Sequence, residues 1–428
     1  MVRPLAHYFI FLYHDSHTFS LPMVDNMVKE NIRQETAQIF PTLVQLRRQI
    51  HKNPELGFEE QKTSALVART LRSLGLRVQA GIAKTGVVGM LEGRKKSPVV
   101  ALRADMDALP IHEQNKIPYR SSLQGKMHAC GHDAHTAIAL GAAMLLSSMK
   151  DQLDGSVKFI FEPCEEKSPS GAAELIKRGV LANPKVGAIF GMHVFARAEV
   201  GRVGFRAGPM MAASDELYIT IKGKGGHGAF PHLSVDALVV AAEVVLALQK
   251  VISRQVNPFS PHVLTIGKIE GGTAPNIIPN EVKITGTLRS MDEKWRKQAR
   301  KSIVRMIKGV TSASGASFEL EIKEAGPVLV NDERLTKFAE DVCKDYLGPR
   351  NVFTVEPVMG GEPFAYYLQK VPGTFFRLGI ANRRKGIVHD LHTPRFNIDE
   401  EALKVGAGFF AYLAHEYLSS APRLVRDL

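Results

Sequence analysis

No stretch constrains this chain more than His128-Ala129-Cys130-Gly131-His132-Asp133-Ala134-His135, which packs one thiol, three imidazoles and a carboxylate into eight residues. The apolar run Thr136 to Leu146 follows at once and predicts a buried helix. Thiolate and imidazole suit zinc, cobalt, nickel or manganese rather than calcium. Cys130 and His132 are two residues apart and do not share a helix face. They are expected on the loop entering the helix, with Asp133 placed to cap it. A capped helix start with a buried cysteine and surface histidines would use the same residues, so the rest of the chain has to decide.

Other segments lead to comparable chemistry. Pro98 to Ala104 is a near-continuous apolar run, as in a strand buried on both faces, and it ends in Asp105-Met106-Asp107. Gly155 to Phe161 predicts a strand that delivers Glu162-Pro163-Cys164-Glu165-Glu166, and Val186 to Met192 a strand that ends at His193. Open α/β sheets place their sites at such strand ends. Apolar periodicity predicts helices over Val24 to Lys52, Glu59 to Leu74, His132 to Lys150, Gly171 to Arg178, Asp332 to Tyr346 and Asp399 to Leu418. Gly373 to Gly379 is a further strand. Alternating strands and helices imply an α/β fold: a mostly parallel sheet with helices on both faces.

The texture changes after Gly208-Pro209. Leu217 to Lys222 and Ser317 to Lys323 alternate polar and apolar residues, as half-exposed strands do, and between them lie two more strands and two helices. This predicts an inserted smaller α+β domain with an antiparallel sheet over residues 211–324, inside a catalytic domain made of 23–210 and 325–428. The 428 residues allow two domains, and the 45% hydrophobic and 23% charged content is that of a soluble globular protein.

The formal net charge is +12, but Lys and Arg are scattered, with Arg94-Lys95-Lys96 the one tight run. No aromatic-plus-basic recognition motif is present, which argues against nucleic acid as a partner. Three widely spaced cysteines argue against a disulfide framework and for a reducing, cytoplasmic compartment. No apolar run approaches the roughly 20 residues of a membrane span. Residues 1–22 read as a disordered extension or an upstream start, and less well as a signal peptide, because no clean small-residue cleavage site follows the short apolar stretch Tyr8 to Tyr13.

In order, the chain carries His-Ala-Cys-Gly-His-Asp, Glu-Glu after a strand, Gly-Met-His, Gly-Gly-His-Gly-Ala-x-Pro-His and a late Leu-His-Thr-Pro. This ordered set resembles the dinuclear metal-dependent amidohydrolases of the aminoacylase and carboxypeptidase type. The nearest branch is that of hippurate hydrolases, N-acyl-amino-acid amidohydrolases and plant auxin-conjugate hydrolases. The resemblance implies two divalent metal ions per chain, zinc or manganese first and cobalt or nickel as alternatives, held by Cys130, His132, Glu166, His193 and His392. Cys130 matches the position that bridges the two. Glu165 matches the carboxylate that takes a proton from the attacking water and passes it to the leaving amine. His227 matches a histidine that reaches across a homodimer to the partner's oxyanion, and Asn276 and Arg289 match positions that hold the substrate's α-carboxylate.

The implied reaction is hydrolysis of the amide of an N-acyl amino acid. A dipeptidase or carboxypeptidase on the same machinery is the nearest alternative, and a non-catalytic, metal-binding dimeric relative the alternative of another class. One position departs from the family pattern: Gly361-Glu362-Pro363-Phe364 stands where the motif reads Glu-Asp-Phe, and proline supplies neither a side-chain acceptor nor a backbone N–H.

Overall fold

The computed structural model describes residues 26–424, so the expected extension over 1–22 lies outside the described residues. Helices α1 (Asn26–Lys52) and α2 (Gln61–Ser73) lead into β1 (Arg77–Ile82), β2 (Gly86–Glu92) and β3 (Val99–Asp105). Then come α3 (His132–Ser148), β4 (Ser156–Glu162), α4 (Gly171–Lys177), β5 (Ala188–Glu199), β6 (Val203–Phe205) and β7 (Gly208–Met211). The next stretch holds β8 (Ala213–Lys222), β9 (Gly226–His227), α5 (Ala237–Gln255), β10 (His262–Glu270), β11 (Ile277–Ile278), β12 (Glu281–Ser290), α6 (Glu293–Ala313) and β13 (Ser317–Gly326). The chain closes with β14 (Leu329–Asn331), α7 (Glu333–Leu347), β15 (Val352–Thr354), α8 (Phe364–Leu368), β16 (Gly373–Ala381) and α9 (Glu401–Leu424).

The main sheet has eight strands in the order β1-β2-β4-β3-β5-β16-β6-β15. Its centre, β4-β3-β5-β16, is parallel throughout, and antiparallel pairings occur toward the edges. A strand covered on both faces has no polar side, which is why β3 reads as a near-continuous apolar run broken only by Arg103 before Asp105. Val100, Leu102 and Ala104 enter the core beneath α1, α3 and α9, while Val99 and Ala101 enter a second core beneath α4 and α8. Helices therefore cover both faces, as the strand–helix alternation predicts.

Strands β10-β12-β8-β13 form a separate antiparallel sheet. One face carries α5 and α6 over a core of its own, with Leu217, Ile219 and Ile221 against Val244, Leu248, Ile303 and Ile307. The other face keeps the polar alternates, which accounts for the period-two pattern in the sequence. Among the described residues no helix is long and apolar enough to cross a membrane. All three cysteines are free and buried.

Two expectations need correction. His193 is not at a strand end: β5 continues to Glu199 because β16 pairs with it through Phe195 and Glu199. Asp133 does not cap α3, whose N-cap is Gly131. Its buried carboxylate instead accepts from Arg47 Nε at 3.0 Å and meets His51 Nδ1 at 2.8 Å.

Candidate metal centre

The loop before α3 turns through Gly131 in the left-handed region (φ 84°), and a Cβ there would meet Val194 Cγ2 at 2.5 Å. Only glycine fits both demands. The turn leaves Cys130 on the loop and starts α3 at His132. Cys130 Sγ then lies 3.3 Å from His193 Nε2, which β5 supplies, and 3.3 Å from His392 Nε2. His392 is itself left-handed (φ 60°), and its N–H donates to Ala129 O at 2.8 Å, tying the late histidine loop to the cysteine loop. Cys164, past the end of β4, is left-handed as well (φ 51°). Non-glycine residues with such backbones cluster at functional sites.

Glu165 and Glu166 follow that turn. Their backbone N–H groups donate to Asp107 Oδ1 and Oδ2 at 3.0 and 3.1 Å, and Asp107 Oδ1 lies 3.2 Å from His132 Nδ1. One carboxylate at the end of β3 thus aligns both glutamates and one histidine. Glu166 Oε1 lies 3.3 Å from His392 Nε2 and 3.9 Å from His132 Nε2, and Glu165 Oε2 lies 3.9 Å from His132 Nε2.

Ring-nitrogen accounting separates ligands from supports. His132 spends Nδ1 on Asp107, and His193 spends Nδ1 on the Val194 carbonyl at 2.8 Å, so both present Nε2. This is the carboxylate-or-carbonyl support that metal-binding histidines use. His135 spends both nitrogens, Nδ1 on Asp105 at 2.5 Å and Nε2 as acceptor of the Val194 N–H at 2.9 Å, and so supports rather than ligates. Besides a compact group of His132, Glu165 and Glu166, two candidate ligand triads stand here, Cys130 with His132 and His193, and Cys130 with Glu166 and His392, the ligand atoms of each within 4.8 Å of one another. They share the Cys130 sulfur. His132 Nε2 is buried without a hydrogen-bond partner. Buried polar atoms are rarely left so; a soft-to-borderline divalent cation fits this donor set of thiolate, imidazole and carboxylate.

The electrostatics agree. Burial works against a charged His132, yet Asp105 and Cys130 outweigh it and hold its pKa well above the ordinary imidazole value, so the position attracts positive charge. Burial, then the Glu362 and Glu166 charges, pushes the Glu165 carboxyl well up. Behind the cluster, fully buried Arg103 binds Asp105 at 2.7 Å, Glu162 at 2.8 Å and Glu362 at 3.2 Å.

Cys130, Glu165, Glu166, His193 and His392 open onto one cavity of about 740 Å³, walled further by Met211, Phe353, Gly361, Glu362 and Arg377. Arg289 on β12 approaches it from outside: its Nη1 would lie 3.5 Å from a Cβ on Gly361. His227 and Asn276 are not brought to this cavity. They sit together where β9 pairs with β11, both exposed, with Gly228 N donating to Asn276 O at 2.8 Å. Pro363 occupies the N-cap of α8, where a missing N–H goes unneeded, and Glu362 Oε1 accepts the Phe364 N–H at 2.9 Å. Sequence reasoning marked Asp105-Met106-Asp107 as a site-bearing strand end and His135 as part of the histidine-rich stretch but gave neither Asp107 nor His135 a role, and it left Arg103 and Arg377 out.

Comparison with known proteins agrees with this geometry. Residues 101–416 match the model of peptidase family M20/M25/M40. IAA-amino acid hydrolase ILR1-like 4 of Arabidopsis thaliana is 42% identical over 89% of this chain and 86% of its own. Thermostable carboxypeptidase 2 of Saccharolobus solfataricus is 39% identical over 91% of this chain and 98% of its own. The crystal structure of the YxeP protein of Bacillus subtilis, described as a dinuclear metal-binding peptidase of the M20 family, superposes with a TM-score of 0.78 at 34% identity, covering 90% of this chain and 99% of that one. With three quarters of its length under the family model and such relatives along nearly all of it, this chain belongs to peptidase family M20/M25/M40 and is a hydrolase of that family.

Proposed function

We propose that the protein hydrolyses the amide bond of N-acyl amino acids, releasing an amino acid and a carboxylic acid. In this reading Cys130, His132, Glu166, His193 and His392 hold two divalent cations, zinc or manganese first, with Cys130 shared. Bound there, such ions supply Lewis acidity toward a carbonyl oxygen and acidify water. The chain's own residues do the rest. Glu165 accepts a proton from the attacking water as its oxygen bonds to the acyl carbon, then gives that proton to the nitrogen as the C–N bond breaks. Asp107 keeps Glu165 and Glu166 turned to their separate tasks. Residues 211–324 act as a lid and dimer-forming unit; His227 of one subunit donates to the oxyanion in its partner's site. Arg289 and Asn276 hold the α-carboxylate, for which a guanidinium fork is suited.

The observation that carries this reading is Glu165. It lines the cavity beside the ligand cluster, its backbone clamped by Asp107, and although it groups with His132 and Glu166, it belongs to neither of the triads that share the Cys130 sulfur. A closed structural site has no use for such a carboxylate. The plant relative's name, an IAA-amino acid hydrolase, supports an N-acyl substrate; the archaeal relative's name keeps a carboxypeptidase in view. Three free buried cysteines fit a cytoplasmic setting.

The test is a panel of N-acetyl, N-benzoyl and indole-acetyl amino acids with several dipeptides, assayed after chelation and after adding back zinc, manganese or cobalt. Metal-dependent release of amino acid from the N-acyl compounds is expected. Turnover of dipeptides alone moves the assignment to a peptidase.

A further inference from the structure

Four arginines are buried among the described residues: Arg47, Arg103, Arg296 and Arg377. Three are matched by carboxylates, Arg47 by Asp133 and Glu400, Arg103 by Asp105, Glu162 and Glu362, and Arg296 by Asp215 and Glu293. Arg377 is the exception. It is 6% exposed, and among the described residues no carboxylate lies within 4.0 Å of it. Its Nη2 meets Met211 Sδ at 3.0 Å, and its guanidinium carbon stands 5.5 Å from the Phe375 ring centroid. A buried guanidinium is costly unless an anion matches it.

The location says where that anion comes from. Arg377 lies on β16 in register with His193 on β5, so the two side chains leave the same face of the sheet. It lines the cavity onto which the ligand cluster opens. The carboxylates that act on Arg377, Glu362 and Glu165, stand beyond 4.0 Å; Glu362 is committed to Arg103 and the Phe364 N–H, and Glu165 is the proton carrier of the proposed reaction. Cations in the ligand cluster would add positive charge beside it and deepen the need for an anion. The cavity's other arginine, Arg197, is exposed and paired with Asp390 at 3.0 Å.

We propose that Arg377 is a specificity-determining residue that binds a second carboxylate of the substrate, so that the preferred N-acyl amino acids are dicarboxylic. This rests on the N-acyl amino acid reading, in which Arg289 takes the α-carboxylate from the Gly361 side. The second carboxylate belongs either to the amino acid's side chain, as in N-acetylglutamate, or to the acyl group, as in N-succinylalanine. Both offer the planar acceptor that a guanidinium binds bidentately.

The test is calorimetric titration of the metal-loaded Glu165→Gln protein, which binds without turning over, with N-acetylalanine, N-acetylglutamate and N-succinylalanine. At least one dicarboxylate is expected to bind about 10- to 100-fold more tightly than N-acetylalanine, the range of a charge-assisted contact. Which one gains identifies the source of the carboxylate. Adding Arg377→Met should collapse that ratio to within about threefold, whereas Arg377→Lys, which keeps the charge without the fork, should retain part of it. Equal binding of all three ligands with Arg377 present, no measurable binding of either dicarboxylate, or a ratio that survives Arg377→Met overturns the inference. The first two outcomes need no Arg377 variant to fold. Turnover of the same compounds by the unmodified protein is scored separately: no hydrolysis removes the amidohydrolase reading, while the binding ratio still judges Arg377.

Discussion

Asp107→Asn is the substitution that best tests how the centre is built. The native carboxylate is buried, with Glu165 N–H at 3.0 Å and His132 Nδ1 at 3.2 Å on Oδ1, and Glu166 N–H at 3.1 Å on Oδ2. All three neighbours donate, so both oxygens must accept. Asparagine keeps one accepting end and replaces the other with a donor. Turned so that its oxygen retains Glu165 and His132, it faces its NH2 against the Glu166 N–H. At least one charge-assisted bond is lost, about 1.5–3 kcal/mol, or roughly 10- to 150-fold in an equilibrium constant. The loss falls on the placement of Glu166 and His132, one from each ligand triad, so it should appear as weaker metal binding. The assay is competition with a chromophoric zinc chelator, alongside thermal melting of the metal-free protein. An Asp107→Asn protein that keeps its fold and holds zinc within threefold of the unmodified protein would refute the account of Asp107 as the group that aligns both triads.

Glu165→Gln should retain metal content and melting temperature and lose nearly all turnover; full activity would sink the mechanism. His227→Ala should lose turnover without losing metal, and hybrid dimers formed with Glu165→Gln subunits should regain activity, because one site then has both groups. No regain in purified hybrids would mean that His227 does not act across subunits. Asp133 and Arg47 form a buried pair, and burial notwithstanding, Arg47 and His51 hold the Asp133 carboxyl well below its ordinary value. A depressed folded pKa stabilises above the unfolded pKa, about 3.9, and the contribution is lost as the pH falls through the folded value. For metal-free protein, Arg47→Met should therefore cost about 3–5 kcal/mol at pH 7, and the melting gap should narrow below about pH 4. A gap independent of pH would assign Arg47's contribution to packing alone.

What could be read from sequence and what could not divide along a physical line. Cys130, His132, Glu165 and Glu166 sit in compact blocks at the ends of buried strands or the mouth of a buried helix, and there a polar side chain has few structural uses. The half-exposed strands of the second sheet were equally legible, since β8 and β13 alternate with period two. Asp107's place past a buried strand was legible but its task was not, because its partners are His132, 25 residues on, and backbone N–H groups 58 and 59 residues further on. His135 was the opposite case. It lies in the densest block of metal-binding chemistry, and only an account of where its two nitrogens go removes it from the ligand set.

Arg377 carries a signal that is visible in the sequence itself. In Gly-Thr-Phe-Phe-Arg-Leu-Gly-Ile-Ala it is the one charge in a strand whose nine residues are all buried. A strand covered on both faces leaves a guanidinium no route to water, so a charge there requires either a carboxylate in the fold or an anion from outside it. Arg103, in the equally buried β3, took the first course, meeting Asp105, Glu162 and Glu362. Sequence alone does not separate the two, because the deciding fact is how many carboxylates converge from other strands and loops. Around Arg103 they converge; Arg377 has Glu362 and Glu165 only beyond 4.0 Å, and in contact it meets a methionine sulfur, an aromatic face and an open cavity. The same sheet thus uses one buried arginine to tie its acidic strand ends together and leaves the other facing the space where a substrate's anion can reach it.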